Sequence, residues 1–283
     1  MKLLPLVGLI ALWSGAPLAA LDLEPKALIA SVPDSVPSQA TAAEQLVHAL
    51  KKKRQLRGLQ GAQRLAARRE AVDAYRAVRR YFPGNRALGA EAAFRAGELL
   101  RSGHFDAEAA EEFELARDLG QATVFAPRGG LELAHLHRRH ARLLDALAAY
   151  AAVTEMEDID REYTDRARNW KGTVEARLGR HSEARRSWEQ VARHGAGALE
   201  RIDAFDRWAD SLVDAQDLEA AAGVLELCSS SLHAVADEET PFGLRVRKAL
   251  GRMGSVSRLA RAIKRRLEER RNAGLSFAFA ARI

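Results

Sequence analysis

The sequence has a single cysteine, Cys228, so no intramolecular disulfide can brace the fold. No thiolate cluster can assemble to hold zinc or an iron–sulfur centre. Long β-branched runs and Asn-Gly turns, the marks of hairpins, are missing. After the N-terminal stretch no apolar run approaches the roughly 20 residues that span a bilayer. The catalytic signatures are missing too. The chain has no zincin His-Glu-x-x-His and no Gly-x-Ser-x-Gly. Gly58/Gly61 and Gly129-Gly130 lack the Lys-Ser/Thr of a phosphate loop. His135-Leu136-His137-Arg138-Arg139-His140 has no acidic residue to complete a metal site, and its arginines repel cations. Glu155, Glu157, Asp158 and Asp160 precede a helix and are read as charges that favour its N-terminus. No metal, cofactor or catalytic residue is assigned.

What is present is helix-forming. Hydrophobic residues make up 47% and charged residues 29% of the 283, and Ala, Leu, Arg and Glu dominate. The formal charge is +6, but arginines alternate with acids along the chain. That pattern describes solvated helix surfaces, and no nucleic-acid partner is expected. Basic charge concentrates at Lys51-Lys52-Lys53-Arg54 and between Arg258 and Arg271.

Met1-Lys2, the apolar Leu3 to Trp13 and the small residues ending at Ala20 form the three-part layout of a secretory signal. Residues 1–20 are therefore expected to direct export, with a periplasmic or secreted destination. No Cys near the cut would accept a lipid. Residues 21–40 read as a linker broken by Pro25, Pro33 and Pro37. Thr41-Ala42-Ala43-Glu44 is a capping box that starts the first helix.

From there a small residue is followed four positions later by a large one, at Ala71/Tyr75, Ala109/Phe113, Ala146/Tyr150, Ala184/Trp188, Ala221/Leu225 and Leu259/Ile263. The steps between copies are 37 or 38 residues. Val78, Ala116, Val153, Val191 and Cys228 follow three residues after the first five large ones. Five residues before the small position stand Ala66, Ala141, Gly179, Gln216 and Gly254, with Gly103 six before, a place suited to a tight turn. Two residues later come Phe105, Leu143, His181, Leu218 and Val256. Leu59, Ala96, Ala134, Gly172 and Ala209, about twelve before, let a preceding helix approach closely. The predicted unit is a pair of antiparallel helices. One pair cannot bury its apolar face alone, so units must stack.

These residues resemble the tetratricopeptide repeat family, most clearly Gly172, Gly179, Ala184, Trp188 and Val191, with Tyr81-Phe82-Pro83 matching the family's closing proline. The resemblance covers roughly residues 52–271. It departs in its longer period, where 34 is typical, and in lacking that proline after repeats two to five. It implies an all-α fold, a right-handed superhelical solenoid of about six helix pairs over residues 41–271, followed by a tail at 272–283. Exported bacterial relatives of this longer-repeat kind include outer-membrane assembly lipoproteins and Tol–Pal-associated cell-division coordinators.

The resemblance further implies a concave groove lined by first helices. By phase, the groove positions are Arg128, Leu131, His135 and Arg138, then Arg166, Asn169, Thr173 and Arg177, then Asp203, Asp206, Asp210 and Asp214. The last four form an acidic helix face beside an Arg-rich one. Leu259, Ala260, Ile263 and Leu267 form an apolar stripe flanked by Arg258, Arg261, Lys264, Arg265, Arg266, Arg270 and Arg271, read as a capping helix or as a contact for anionic lipid or an acidic partner. Leu275 to Phe279 alternates like a strand that docks on a partner sheet, folds back on the last repeat or stays unstructured. The expectation is a non-enzymatic scaffold of the bacterial envelope that binds a peptide or partner helix. Alternatives are a module for peptidoglycan or anionic lipid and a non-catalytic subunit of an envelope enzyme.

Overall fold

The computed structural model describes residues 36–280, with side chains placed through Glu269. The expected signal and residues 21–35 of the linker lie outside the described residues. The described residues are helical throughout, without strands. The helices run α1 (Ala42–Arg54), α2 (Gly61–Tyr81), α3 (Arg86–Arg101), α4 (Asp106–Leu119), α5 (Phe125–Arg139), α6 (Leu143–Thr154), α7 (Arg161–Arg177), α8 (His181–His194), α9 (Ala198–Asp214), α10 (Leu218–Asp237), α11 (Pro241–Leu250) and α12 (Gly254–Ala280). Each packs on its neighbours in the chain through α11, and successive first helices also touch. The result is a solenoid of stacked pairs, as the periodicity predicts.

The first helix begins at the capping box: Thr41 Oγ1 accepts from Glu44 N–H, and Glu44 Oε2 accepts from Thr41 N–H. The end of the linker is docked. Buried Gln45 donates to Pro37 O and accepts from Gln39 N–H, while Tyr81 Oη donates to Val36 O.

The repeat register is tighter than the sequence indicates. His104, Ala141, Gly179 and Gln216 all adopt left-handed φ, at 63°, 57°, 77° and 62°. Each lies five residues before its small residue and two before the start of α4, α6, α8 or α10. The turn position in repeat two is thus His104, not Gly103, and the one-residue offset disappears. Its close-approach residue is likewise Gly97, not Ala96: a Cβ on Gly97 would stand 2.7 Å from the Phe113 ring, and one on Gly172 2.6 Å from Trp188. Among the first five repeats only the first departs. Its α2 starts ten residues before Ala71, so Ala66 lies inside the helix and Leu59 in the loop before it.

The phase marks the core. Ala71, Ala109, Ala146, Ala184 and Ala221 are fully buried, as are Tyr75, Phe113 and Tyr150, with Trp188 nearly so. Val78, Ala116, Val153, Val191 and Cys228 close the same stripe. An ion-pair network sits between successive second helices: Glu112 of α4 meets Arg79 at 2.9 Å and Arg76 at 2.6 Å on α2. The Glu112 and Arg79 side chains are each 2% exposed, so neither charge has water as an alternative partner.

The sixth unit is not the expected hairpin. After α11, a helix of 10 residues, α12 packs on α9 and α10 rather than pairing with α11. Beside α9 is the first-helix place, so Leu259 and Ile263 are not a sixth small/large pair on a second helix. Leu259 is buried, but Ile263 is 41% exposed. The register along the chain is kept, since α12 begins 36 residues after the start of α10; what differs is that α12 lies beside α9. The strand-like reading of Leu275 to Phe279 is also corrected, because α12 continues as helix through Ala280.

Candidate functional site

First helices α3, α5, α7 and α9 stand side by side, and the repeat places equivalent residues at equal heights. One such column is Arg95, Glu132, Trp170 and Arg207, at intervals of 37, 38 and 37 residues. At its centre Trp170 of α7 lies between two guanidinium groups. Arg138 from α5 sits 4.3 Å from the ring centroid and Arg207 from α9 4.7 Å. Cation–π attraction helps hold both arginines over an aromatic face. His135 meets Trp170 edge-on at 5.4 Å and its Nδ1 lies 2.5 Å from Tyr150 Oη. Arg207 also donates to Thr173 Oγ1 and pairs with Asp203 at 3.0 Å.

Burial first, then Arg138, Arg139, Arg101 and Arg166, push the His135 imidazole down to about 4. It is therefore neutral at physiological pH. Burial pushes Tyr150 up to about 12. Positive charge continues along the face. Arg128 covers Phe94 at 4.3 Å, Arg101 bonds Glu132, and Arg166 reaches Glu200 at 3.3 Å.

The twelve residues indicated by phase do not share one role. Arg128, His135, Arg138, Thr173 and Arg166 lie on this face. Leu131 is buried in the core with Tyr150 and Val153. Asn169 is 2% exposed; its Nδ2 donates to Glu200 O, and its backbone carbonyl accepts from Trp188 Nε1. Both form the floor beneath the groove. Arg177 is exposed and joins Thr173, His181, Arg207, Asp210 and Asp214 around a cleft of about 380 Å³.

The acidic face of α9 is largely engaged by the chain itself. Asp206 Oδ1 accepts from Ser255 N–H at 2.9 Å and from its hydroxyl at 2.6 Å, a cap supplied from outside α12 to its first turn. Arg258 bonds both Asp210 and Asp214. Burial pushes the Asp210 carboxyl up, against the pull of Arg258. Asp203 stays exposed beside Arg207.

Sequence reasoning missed Trp170, Arg207 and Tyr150. The first two are legible once the column through Arg95 and Glu132 is aligned at the repeat step. Tyr150 was assigned to the core, and its ring is there, but its hydroxyl reaches His135.

The face carries no triad geometry. His140 pairs with Asp106 at 2.7 Å, away from the Tyr150 partner of His135. Among the described residues no three His, Cys, Asp or Glu side chains gather to hold a metal. Burial pushes the Cys228 thiol up to about 11, so it is protonated at neutral pH.

Comparison with solved structures places the fold among TPR-like repeats. A crystal structure of MamA protein superposes with a TM-score of 0.51 at 14% identity, over 70% of this chain and 96% of that one. A substituted form of a Podosopora anserina putative kinesin light chain, described as nearly identical TPR-like repeats, gives 0.51 at 12% identity, over 71% and 100%. No family model matches the sequence, and no curated protein matches it. At these identities the likeness concerns the fold.

Proposed function

We propose that this protein is a non-enzymatic scaffold of the bacterial cell envelope that binds a segment of a partner protein, as peptide or helix, along its first-helix face. The observation that carries the reading is Trp170 held between Arg138 and Arg207 in the middle of that face. Stacking on Trp170, with the Thr173 and Asp203 contacts of Arg207, fixes the guanidinium groups in place, and Arg is suited to bidentate contact with carboxylates. Half-buried aromatic and Arg side chains with restricted motion are the anchors that dominate binding energy at interfaces. The favoured ligand is thus a segment with acidic side chains, steered by Arg101, Arg128, Arg138, Arg166 and Arg207. The envelope assignment rests on the export signal expected at residues 1–20.

The test is photo-crosslinking in the native envelope from position 166, followed by mass spectrometry. One protein partner should dominate, and Arg138→Glu with Arg207→Glu should cut its yield at least about tenfold while the melting temperature holds. Undiminished crosslinking in that variant would reject the site. Loss of all binding at modest salt, with peptidoglycan or anionic lipid as the captured species, would replace the protein partner by an anionic polymer.

A further inference from the structure

The C-terminal end of the solenoid has an uncovered berth. On α10, Leu218, Glu219 and Ala222 hold the places that Arg68, Arg69 and Val72 hold on α2, and Glu226 holds that of Arg76. Between the first two repeats this face is where the next second helix docks, because Arg69 bonds Glu108 and Arg76 bonds Glu112 of α4. Beside α10 no described second helix follows α12. A trough of about 520 Å³ remains between α10 and α12, lined by Leu218, Glu219, Ala222, Ile263, Arg266 and Leu267. Ile263 and Leu267 are 41% and 61% exposed.

The two walls carry opposite charge. Helix α10 has Glu219, Glu226 and Asp237 and neither Lys nor Arg, whereas α12 shows Arg261, Lys264, Arg265 and Arg266 to solvent, outnumbering its exposed Glu268 and Glu269. Glu219, Glu226 and Arg266 make no ion pair among the described residues. An acidic or a basic partner helix would satisfy one wall and be repelled by the other. A flat anionic bilayer would meet the glutamate wall and leave the trough unfilled. A surface with the two charges on its two sides is complementary to itself under a two-fold axis.

We propose that a second copy of this chain fills the berth, forming a two-fold dimer in which α12 of each protomer lies along α10 of the other. Ile263 and Leu267 pack on the partner's Leu218 and the partner's Ala222. Arg266 pairs with the partner's Glu219, and the symmetry makes that bond twice. At 27 residues α12 is about 40 Å long, enough to cross the partner's end. The dimer leaves the Trp170 face free and stands independently of what that face binds.

The experiment is sedimentation equilibrium of the protein over a concentration series. The unsubstituted chain should show a monomer–dimer equilibrium. Glu219→Arg and Arg266→Glu, each creating two like-charge contacts, should each weaken the dimer at least about tenfold. Mixed in equal amounts, these two variants should dimerise again, because both cross-pairs are then opposite in charge. Leu267→Asp, at an exposed position, should abolish the dimer with an unchanged melting temperature. A chain that stays monomeric, variants that dimerise unchanged, or a mixture that does not recover would each overturn the proposal. So would a monomer that binds phosphatidylglycerol vesicles and loses that binding on Leu267→Asp.

Discussion

Several single residues here hold positions that their chemistry resists. Ala141 takes φ 57° at a turn where Gly179 serves the equivalent repeat. A Cβ in the left-handed region costs about 1–2 kcal/mol, partly offset by the extra freedom glycine has when unfolded. Ala141→Gly should therefore stabilise by about 1 kcal/mol, read from denaturant midpoints at constant slope. A neutral or destabilising result would mean that the turn is relaxed in solution. His135 has the opposite character, a group kept uncharged by its surroundings. Its ordinary pKa of 6.5 falls to about 4 on folding, so the unfolded chain takes the proton first. The stability it contributes is complete above pH 6.5 and is lost as pH falls toward 4, by about 3 kcal/mol. The half-buried His137, also shifted down, adds in the same direction. Glu108, held below its usual 4.5 by Arg69, begins to protonate only lower down. His135→Gln should thus flatten the decline between pH 6.5 and 4.5, measured by denaturation at a series of pH values.

At the scale of the element, two contacts decide how helices are held. Glu112 joins α4 to α2 through Arg76 and Arg79 with almost no solvent access. Removing one member of a buried pair strands the other charge, so Glu112→Ala should cost about 3–5 kcal/mol. Replacing Glu112 and both arginines by apolar residues of similar volume should recover much of that loss. The comparison of the two melting curves separates a stranded charge from lost packing. Helix α12 depends on α9 through Asp206 at its N-terminus and the Arg258 pairs. Asp206→Ala should speed amide hydrogen exchange in the first turns of α12 and leave α3 to α8 unchanged. Uniform protection along α12 would show that its apolar contacts, such as Leu259, suffice.

Over the whole molecule, stability is a sum of units and their interfaces. The core divides into groups centred on α1 to α5, on α5 to α7 and on α8 to α12. Trp188 stands at the junction of the last two, with its indole N–H on the Asn169 carbonyl and its ring against Gly172. Trp188→Ala should cost about 3–5 kcal/mol and split a single thermal transition into two. A shift to lower temperature with the transition still single would place the weak interface elsewhere.

The solenoid was written in the chain because its cause is local and repeated. Alanine at 71, 109, 146, 184 and 221 is the residue two helices need in order to touch, and the step of 37 or 38 returns that need at each turn of the array. The capping box at Thr41 and the buried positions from Val78 to Cys228 follow from the same helical spacing. Only the tertiary structure decided where that spacing misleads. It decided that α12, which begins at nearly the repeat step after α10, nonetheless lies beside α9 in a first-helix place, a packing choice that periodicity does not encode. It decided that Asn169 and Leu131 lie beneath the groove while Trp170 and Arg207 line it. A shift of one residue turns a side chain by about 100° around the helix, and only contact with the neighbouring helices settles which side faces out. The acidic face of α9 was visible as four aspartates, but that α12 of the same chain would cover three of them is a long-range contact, set by geometry that accumulates along the stack.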